Sequence, residues 1–229
     1  MNSQSFPFIN LPVRTLKPRT SGVTMVLDKH LGMHEAMDLV ETAGTYIDIV
    51  KLGWGSALLY EVEILKSKIQ LYKKHNIKVC TGGTFMELAF EQDKVDQMLI
   101  QAKKLGFDAV EVSNGIHPGM TAELKQKLIR QVVSHGFYTL SEVGKKLTEE
   151  DSAMTTQERV SEVLADLEAG SDKVIMESRE AGNVGIFDEN GKVNTELANC
   201  LFQQMDPNDI IWEAPKKEQQ VWLIHQLGR

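Results

Sequence analysis

Charged side chains follow several short apolar runs in this sequence, at points where a buried strand would end. Lys51 follows Tyr-Ile-Asp-Ile-Val, Glu142 follows Phe-Tyr-Thr-Leu-Ser, and Glu177 follows Asp-Lys-Val-Ile-Met. Because burying an unpaired charge costs several kcal/mol, each group requires an ionic partner or a bound ion. The positions of Lys51, Glu142 and Glu177 therefore predict a functional site, with structural ion pairs as the alternative.

The alternation of side chains along a strand adds further groups to this prediction. If the chain stays extended beyond Glu142, Lys146 lies on the same face as Glu142, and Lys145 points elsewhere, towards the rim. Arg179 is in phase with Glu177 on another strand. Lys51, Lys146 and Arg179 are thus the candidate anion-binding groups of one site.

Carboxylates without an accompanying set of Cys and His ligands suit a hard cation such as Mg²⁺. His30 and His34 are four residues apart, but no further Cys or His ligands accompany them, so zinc is not predicted. Asp28 fits a metal site or the cap of the next loop equally well, and Glu111 is evenly balanced between site and structural roles. Glu213 precedes Ala-Pro and is interpreted as the start of a helix.

Seven runs rich in β-branched residues predict the strands that position these groups, and amphipathic stretches between them predict helices. The predicted strands span residues 22–28, 46–52, 77–82, 107–113, 137–143, 172–177 and 209–213. The predicted helices span residues 58–75, 95–105, 122–135, 157–169, 195–204 and 216–227. Gly106, Gly136 and Gly170 follow three of these helices, as is typical of helix ends. Repeated βα units of this length indicate a parallel sheet.

The distribution of charges favours a closed barrel over an open sheet. Charged or small polar residues end nearly every predicted strand, and they converge on one site only if the strands form a ring. No Gly-x-Gly-x-x-Gly motif follows the first strand, which argues against a dinucleotide-binding fold. We therefore predict an α/β protein with a TIM-type barrel at residues 22–229, preceded by an N-terminal extension at residues 1–21.

The composition excludes several classes of function. The formal net charge of -7 over 229 residues provides no basic surface for nucleic acid. Neither a signal peptide nor an apolar stretch long enough to span a bilayer is present, so no membrane role is predicted. Cys80 and Cys200 are expected to be buried, reduced thiols, which is typical of a cytoplasmic protein.

Several motifs of the chain resemble those of the phosphosulfolactate synthase family. They are Leu27-Asp-Lys29, the run from Tyr46 to Gly55 with Asp-Ile-Val-Lys-Leu-Gly-Trp-Gly, Gly82-Gly-Thr84, Glu111-Val-Ser113, Leu140-Ser-Glu-Val-Gly-Lys-Lys146, Glu177-Ser-Arg-Glu-Ala-Gly182, Phe187-Asp-Glu-Asn-Gly-Lys192 and the run from Glu213 to Val221. The resemblance implies a (β/α)₈ barrel, assembled as a homo-oligomer such as a trimer. It also implies addition of sulfite to phosphoenolpyruvate with Mg²⁺. The family's eighth strand has no counterpart in the sequence, so a barrel lacking that strand is expected.

The resemblance also implies roles for individual residues. Lys146 is expected to donate the proton, with Lys51 and Glu142 as further catalytic groups. The residues expected to bind the substrates are Lys29, Gly82, Gly83, Lys145 and Arg179. Those expected to hold Mg²⁺ or its water shell are Asp28, Glu142 and Glu177.

Two other functions remain open from the sequence. Lys51 or Lys146 would serve as the Schiff-base amine of an aldolase. The family also resembles plant heat-tolerance proteins, so a non-catalytic binding role is the second alternative. The long segment at residues 178–194 is a candidate lid or phosphate cradle because Gly182 and Gly185 leave backbone amides accessible.

Overall fold

The structure is a computed structural model that describes residues 5–6, 8–10 and 14–228. Its strands are β1 (Met25–Asp28), β2 (Ile49–Leu52), β3 (Lys78–Thr81), β4 (Ala109–Val112), β5 (Tyr138–Val143), β6 (Lys173–Met176) and β7 (Ile210–Trp212). Its α-helices are α1 (Met33–Ala43), α2 (Val62–Lys74), α3 (Gly83–Glu91), α4 (Val95–Leu105), α5 (Ala122–Ser134), α6 (Thr148–Ala153), α7 (Thr156–Glu168), α8 (Thr195–Gln204) and α9 (Lys217–Leu227). Short 3₁₀ helices lie at Gly44–Tyr46, Gly53–Leu58 and Pro207–Asp209.

The seven strands form one parallel sheet in the order of the chain, from β1 to β7. Within the described residues no strand lies between β7 and β1, so the ring is open along that seam. This topology confirms the predicted TIM-type barrel without its eighth strand. Parallel order also brings all carboxyl ends of the strands to one side of the molecule, where barrel enzymes build their sites.

Two kinds of side chain fill the inside of the sheet in successive layers. The lower layer is apolar and consists of Ile49, Cys80, Ala109, Leu140, Ile175 and Ile211. Two residues further along the strands, the same face carries charged side chains, among them Lys51, Glu111 and Glu142. The period of two along each strand therefore places the charges above a dry floor.

The outer face of the sheet packs against the helices through two apolar clusters. One contains Val50, Val79 and Val110 with α-helical residues such as Ile69 and Ile129, and the other centres on Val174, Val163 and Leu201. Burial of each such side chain contributes about 1.5–3 kcal/mol. Because the strands are buried on both faces, they are continuous apolar runs in the sequence.

The part of the N-terminal extension that the structure describes packs at the amino ends of the strands. Arg14 donates to the hydroxyl of Thr24 at 2.6 Å, and Lys17 donates to the carbonyl of Gly44 at 2.7 Å. Arg19 pairs with Asp48 at 2.8 Å. These contacts lie at the end of the barrel opposite the charged layer.

The predicted elements agree with the structure except at three helices. All seven predicted strands form, and the helices that end at Gly106, Gly136 and Gly170 stop as expected, with positive φ at each glycine. Helices α1, α3 and α6 were not predicted. None of the described helices has the length and apolarity that crossing a membrane demands.

Candidate active site

A buried lysine on β2 connects carboxylates from three other strand ends. The ammonium of Lys51 lies 2.9 Å from Glu111 Oε2, 3.3 Å from Glu213 Oε1 and 3.5 Å from Glu142 Oε2. Glu111 and Glu142 are fully buried, and Glu213 is partly exposed. The barrel thus brings together charged side chains from β2, β4, β5 and the end of β7, as expected for strands arranged in a ring.

A second lysine, Lys146, lies between this charged layer and the solvent. Lys146 contacts Glu142 Oε1 at 2.7 Å and also pairs with Glu177 Oε2. Its side chain is 28% exposed, whereas the two glutamates are buried. Strand β5 ends at Val143, and Gly144 turns the chain with φ 128°, so the extended backbone that the parity prediction assumed is absent. The long side chain of Lys146 nevertheless reaches the predicted partners.

The ion pairs determine which groups remain charged. Burial lowers the pKa of Lys51, but Glu111, Glu213 and Glu142 outweigh this effect and hold the pKa well above its usual range. Burial likewise raises the pKa of Glu142, but Lys146 and Lys51 bring it down to about 2. For Glu111, burial prevails over the attraction of Lys51 and raises the pKa to about 7. Lys51 and Glu142 are therefore a permanent cation and a permanent anion at neutral pH.

A cavity of 1390 Å³ follows the open seam between β1 and β7, from Gly22 and Asn208 at the amino ends of these strands to the charged layer at the carboxyl ends. Lys51, Glu142, Glu177 and Lys146 line its floor, and Lys29 and Arg179 line its rim. Lys29 pairs with Glu180 at 2.6 Å, and Arg179 is exposed. Arg179 has φ 61°, and its backbone N–H donates to Glu177 Oε1 at 2.6 Å, so the chain turns away before the side chain can join the floor.

Gly82 and Gly83 form part of the cavity wall, and a side chain would not fit at either position. A Cβ at Gly83 would lie 2.4 Å from Ser113 Oγ, and one at Gly82 would lie 3.0 Å from the carbonyl oxygen of Leu52. The amide of Gly83 donates to Glu111 Oε1 at 2.9 Å, and the amide of Gly82 donates to that same carbonyl of Leu52. Since both amides are used within the protein, these glycines shape the wall and leave no free N–H for an anion.

Two of the predicted site residues lie apart from this cluster. Asp28 is on the outer face of β1, where it pairs with Lys68 at 2.7 Å and accepts a hydrogen bond from Tyr72 at 2.7 Å. It therefore connects β1 to α2 and does not face the cavity, which corrects its assignment to a metal site. Lys145 points away from the floor, as predicted, and donates to the carbonyl of Asn114 at 3.1 Å.

The segment at residues 178–194 is anchored to the barrel. The amide of Gly185 donates to Asp151 at 2.8 Å, and the amide of Gly182 donates to the carbonyl of Arg179. Gln219 of α9 donates to the carbonyls of Gly182 and Gly191 at 2.9 and 3.1 Å. Because these amides are occupied, the segment does not form the phosphate cradle that its glycines suggested.

Sequence reasoning did not select Glu111, Glu213 or Glu87 for the site. Glu111 has the parity of Glu142 and could have been found from it, whereas the Ala-Pro after Glu213 suggested a helix start. Glu87 of α3 accepts hydrogen bonds from the hydroxyl of Ser113 and the amides of Gly115, Ile116 and His117. No pattern in the sequence points to this role.

The carboxylates of the floor are the groups that could hold a hard cation. Glu111, Glu142, Glu177 and Glu213 face two ammonium groups, so the layer has a formal excess of two negative charges when Glu111 is ionised and of one when Glu111, with its pKa raised to about 7, is protonated. Among the described residues, no three acidic, His or Cys side chains already form a metal cluster. Lys146 lies between Glu142 and Glu177. A cation would therefore bind through its water shell or displace this ammonium, and Mg²⁺ commonly keeps several waters.

A parallel barrel whose lysines and carboxylates converge at the carboxyl ends of its strands defines an enzyme of the TIM-barrel class. Among solved structures, the fold is similar to the CutC protein of Streptococcus agalactiae, with a TM-score of 0.59 and 14% identity over 90% of this chain and 94% of that one. It is also similar to 3-hexulose-6-phosphate synthase from Salmonella typhimurium, with a TM-score of 0.56 and 16% identity over 89% and 84%.

The family model of (2R)-phospho-3-sulfolactate synthase (ComA) matches residues 12–229. Phosphosulfolactate synthase from Methanothermobacter thermautotrophicus is 43% identical over 98% of this chain and 86% of the relative. The enzymes of the same name from Methanocaldococcus jannaschii and Bacillus subtilis are 41% and 37% identical, over 90% and 96% of this chain and 82% and 86% of theirs. The chain belongs to the phosphosulfolactate synthase family.

Proposed function

We propose that this protein adds sulfite to phosphoenolpyruvate with Mg²⁺ to give (2R)-2-O-phospho-3-sulfolactate. The proposal rests on family membership together with one feature of the site. Lys146 stands at the boundary between the buried carboxylates and the open cavity, where an ammonium can meet a bound substrate. Relatives named for this activity are 37–43% identical, whereas the plant protein HEAT-STRESS-ASSOCIATED 32 of Arabidopsis thaliana is 23% identical over 94% of this chain. This difference favours the enzyme over a binding protein.

The reaction makes one carbon–sulfur bond and one carbon–hydrogen bond. The sulfur lone pair of sulfite attacks the methylene carbon, and the electrons of the double bond move towards the carboxylate. Lys146 then gives its proton to the carbon that bears the phosphate, acting as a general acid. Glu142 and Glu177 hold the ammonium in place before the transfer.

Lys51 has an electrostatic role in this proposal. Its three carboxylate neighbours keep it protonated and fix its position below the cavity. Lys51 offsets part of the negative charge of the floor, and together with a bound divalent cation it would stabilise the negative charge that grows on the substrate carboxylate. A Schiff-base aldolase requires a neutral amine, so the raised pKa of Lys51 argues against that alternative.

Mg²⁺ would bind above the floor through Glu142 and Glu177 or their water shell, and when bound it would withdraw negative charge from the substrate. The formal excess of two negative charges in the floor matches a divalent cation. On the rim, Lys29 and Arg179 are the groups available for phosphate and carboxylate oxygens. Assembly as a homo-oligomer, with a trimer as the specific expectation, and a cytoplasmic location also belong to this proposal.

The proposal is tested by incubating the purified protein with phosphoenolpyruvate and sulfite, with and without Mg²⁺. We expect phosphosulfolactate by mass spectrometry, and we expect EDTA to abolish its formation. Lys103→Met, which removes a charge from the exposed end of α4, serves as the control variant and should retain the activity. Absence of product with Mg²⁺ present would refute the assignment, and trapping of a substrate adduct by borohydride would favour the aldolase.

A further inference from the structure

A second cavity opens beside the active site, between the loops that follow β4 and β5. It has a volume of 420 Å³ and is lined by Asn114, His117, Lys145 and Lys146 together with Ile116 and Leu147. Lys146 and Ile116 also line the main cavity. The two cavities therefore meet at the lysine that is the proposed proton donor.

The side cavity differs in charge from the barrel floor. The ammonium of Lys146 pairs with Glu142 and Glu177 and belongs to the floor, whereas its aliphatic stem lines the side cavity beside Gly115. Lys145 contributes an ammonium group of its own, and the only carboxylate among the described lining residues is that of Glu150, which is exposed. An anion without its own metal ion is therefore repelled less in the side cavity than above the floor, where carboxylates are in excess.

An unpaired polar group marks the wall of the side cavity. Asn114 is 7% exposed, and its Oδ1 has no hydrogen-bond partner among the described residues. Buried side-chain oxygens of this kind are normally paired, so this atom is available as an acceptor for a group bound in the side cavity. Lys145 donates one of its three N–H groups to the Asn114 carbonyl, and two remain. His117 accepts from the amide of Gly119 through Nδ1, which leaves the ring proton on Nε2.

We propose that the side cavity is the binding site of the sulfite substrate, taken up as the protonated oxyanion hydrogen sulfite. This assignment rests on the proposed function and goes beyond it by giving the two reactants separate sites. Lys145 and His117 provide donors for the sulfite oxygens, and Asn114 Oδ1 provides the acceptor for its proton. That proton is lost when the sulfonate forms and returns to the Lys146 amine, which has given its own proton to the carbon. Phosphoenolpyruvate, the larger reactant, takes the part of the main cavity that lies above the floor at the carboxyl ends of the strands.

The position of Lys146 agrees with this division. Sulfite attacks the carbon next to the one that is protonated, so both reactants must lie near the proton donor. Lys146 is a lining residue of both cavities, and its backbone amide donates to the carbonyl of Gly115 at 3.3 Å. A sulfite held by Lys145 and Asn114 thus lies beside the junction at which the carbon–sulfur bond forms.

The test compares Lys145→Met and Asn114→Ala with the control Lys103→Met. A charge-assisted hydrogen bond is worth about 1.5–3 kcal/mol, so Lys145→Met should raise the KM for sulfite roughly ten- to a hundredfold. The KM for phosphoenolpyruvate should stay within about twofold, because Lys145 does not contact that substrate.

Asn114→Ala should also raise the KM for sulfite. It should not lower stability, since Asn114 Oδ1 has no described partner to lose. Inorganic sulfate should compete with sulfite but not with phosphoenolpyruvate.

The outcomes separate the two proposals. If the unaltered protein forms no phosphosulfolactate, the proposed function fails. If the unaltered protein is active and both variants leave the KM for sulfite unchanged, only the side-cavity assignment fails. An equal rise in the KM for phosphoenolpyruvate would also overturn it, because the cavity would then hold the phosphate.

Discussion

Replacing Glu87 should impair catalysis although this residue does not touch the main cavity. Its carboxylate accepts hydrogen bonds from the Ser113 hydroxyl and from the amides of Gly115 and Ile116 at 3.1 and 2.9 Å, and also from the His117 amide. The loop at residues 113–117 packs against Lys146. The contact is so close that a Cβ added at Gly115 would lie only 3.1 Å from Lys146 Cγ. Glu87 therefore acts as a positioning residue for the proposed proton donor.

The expected loss of stability follows from the number of hydrogen bonds that the Glu87→Gln substitution removes. Glu87→Gln turns an NH₂ group towards two of the four donors, and hydrogen bonds to a charged group contribute about 1.5–3 kcal/mol each. We expect the free energy of unfolding to fall by about 3 kcal/mol, which leaves a protein of ordinary stability folded. Because a displacement of the loop misplaces Lys146, kcat should fall roughly ten- to a hundredfold.

Urea unfolding and steady-state kinetics measure the two effects, with Glu91→Gln on the exposed side of the same helix as the control. Glu87→Ala provides a further test, because three converging amides bind small anions. Formate or acetate should restore part of the kcat of Glu87→Ala and none of that of Lys146→Ala. A loss of stability in Glu87→Gln with unchanged kcat would refute the link to Lys146, and unchanged stability would refute the energetic reasoning.

Three further predictions follow from the same structure. Lys146→Ala should abolish most turnover while circular dichroism shows an intact fold, and near-normal turnover would exclude Lys146 as the proton donor. Cys80 is buried and burial raises the pKa of its thiol, so a thiol reagent should modify Cys200 first and reach Cys80 only after unfolding. Asp28→Asn should lower thermal stability by weakening the buried contacts of β1 with α2, yet leave the Mg²⁺ concentration for half-maximal activity unchanged; a large shift in that concentration would return Asp28 to the metal site.

The strands were predictable because each is buried on both faces. Apolar, β-branched runs are what such burial requires, and the charge that ends a run marks the mouth of the barrel. Helix α3 was missed because it begins directly at the two glycines after β3 and is apolar around most of its surface, as Phe85, Met86 and Leu88 show. A sequence pattern of this kind shows no clear helical period.

The alternation of side chains along each strand explains why most site residues were predicted correctly and why Asp28 was not. Lys51, Glu142 and Glu177 share the lumen-facing parity of their strands, and the structure brings them together. The same rule applied to β1 would have placed Asp28 outside, because Leu27, the register partner of Lys51, occupies the inward position. The contact of Lys146 with Glu177 depended on a turn at Gly144, and no sequence rule supplies the geometry of such a turn.

In the proposed reaction, one barrel must accept two anions that repel each other. Two unit charges about 4 Å apart interact by about 4 kcal/mol near a protein surface, so each anion needs its own compensating field. The buried floor has the wrong sign for phosphoenolpyruvate, and a divalent cation would neutralise its excess negative charge. The side cavity has the ammonium of Lys145 and no excess of carboxylates among its described lining residues, so an anion there needs no metal ion. Binding of phosphoenolpyruvate should therefore strengthen with Mg²⁺ concentration, whereas binding of sulfite should not, because the proposal places only the first anion over the carboxylates.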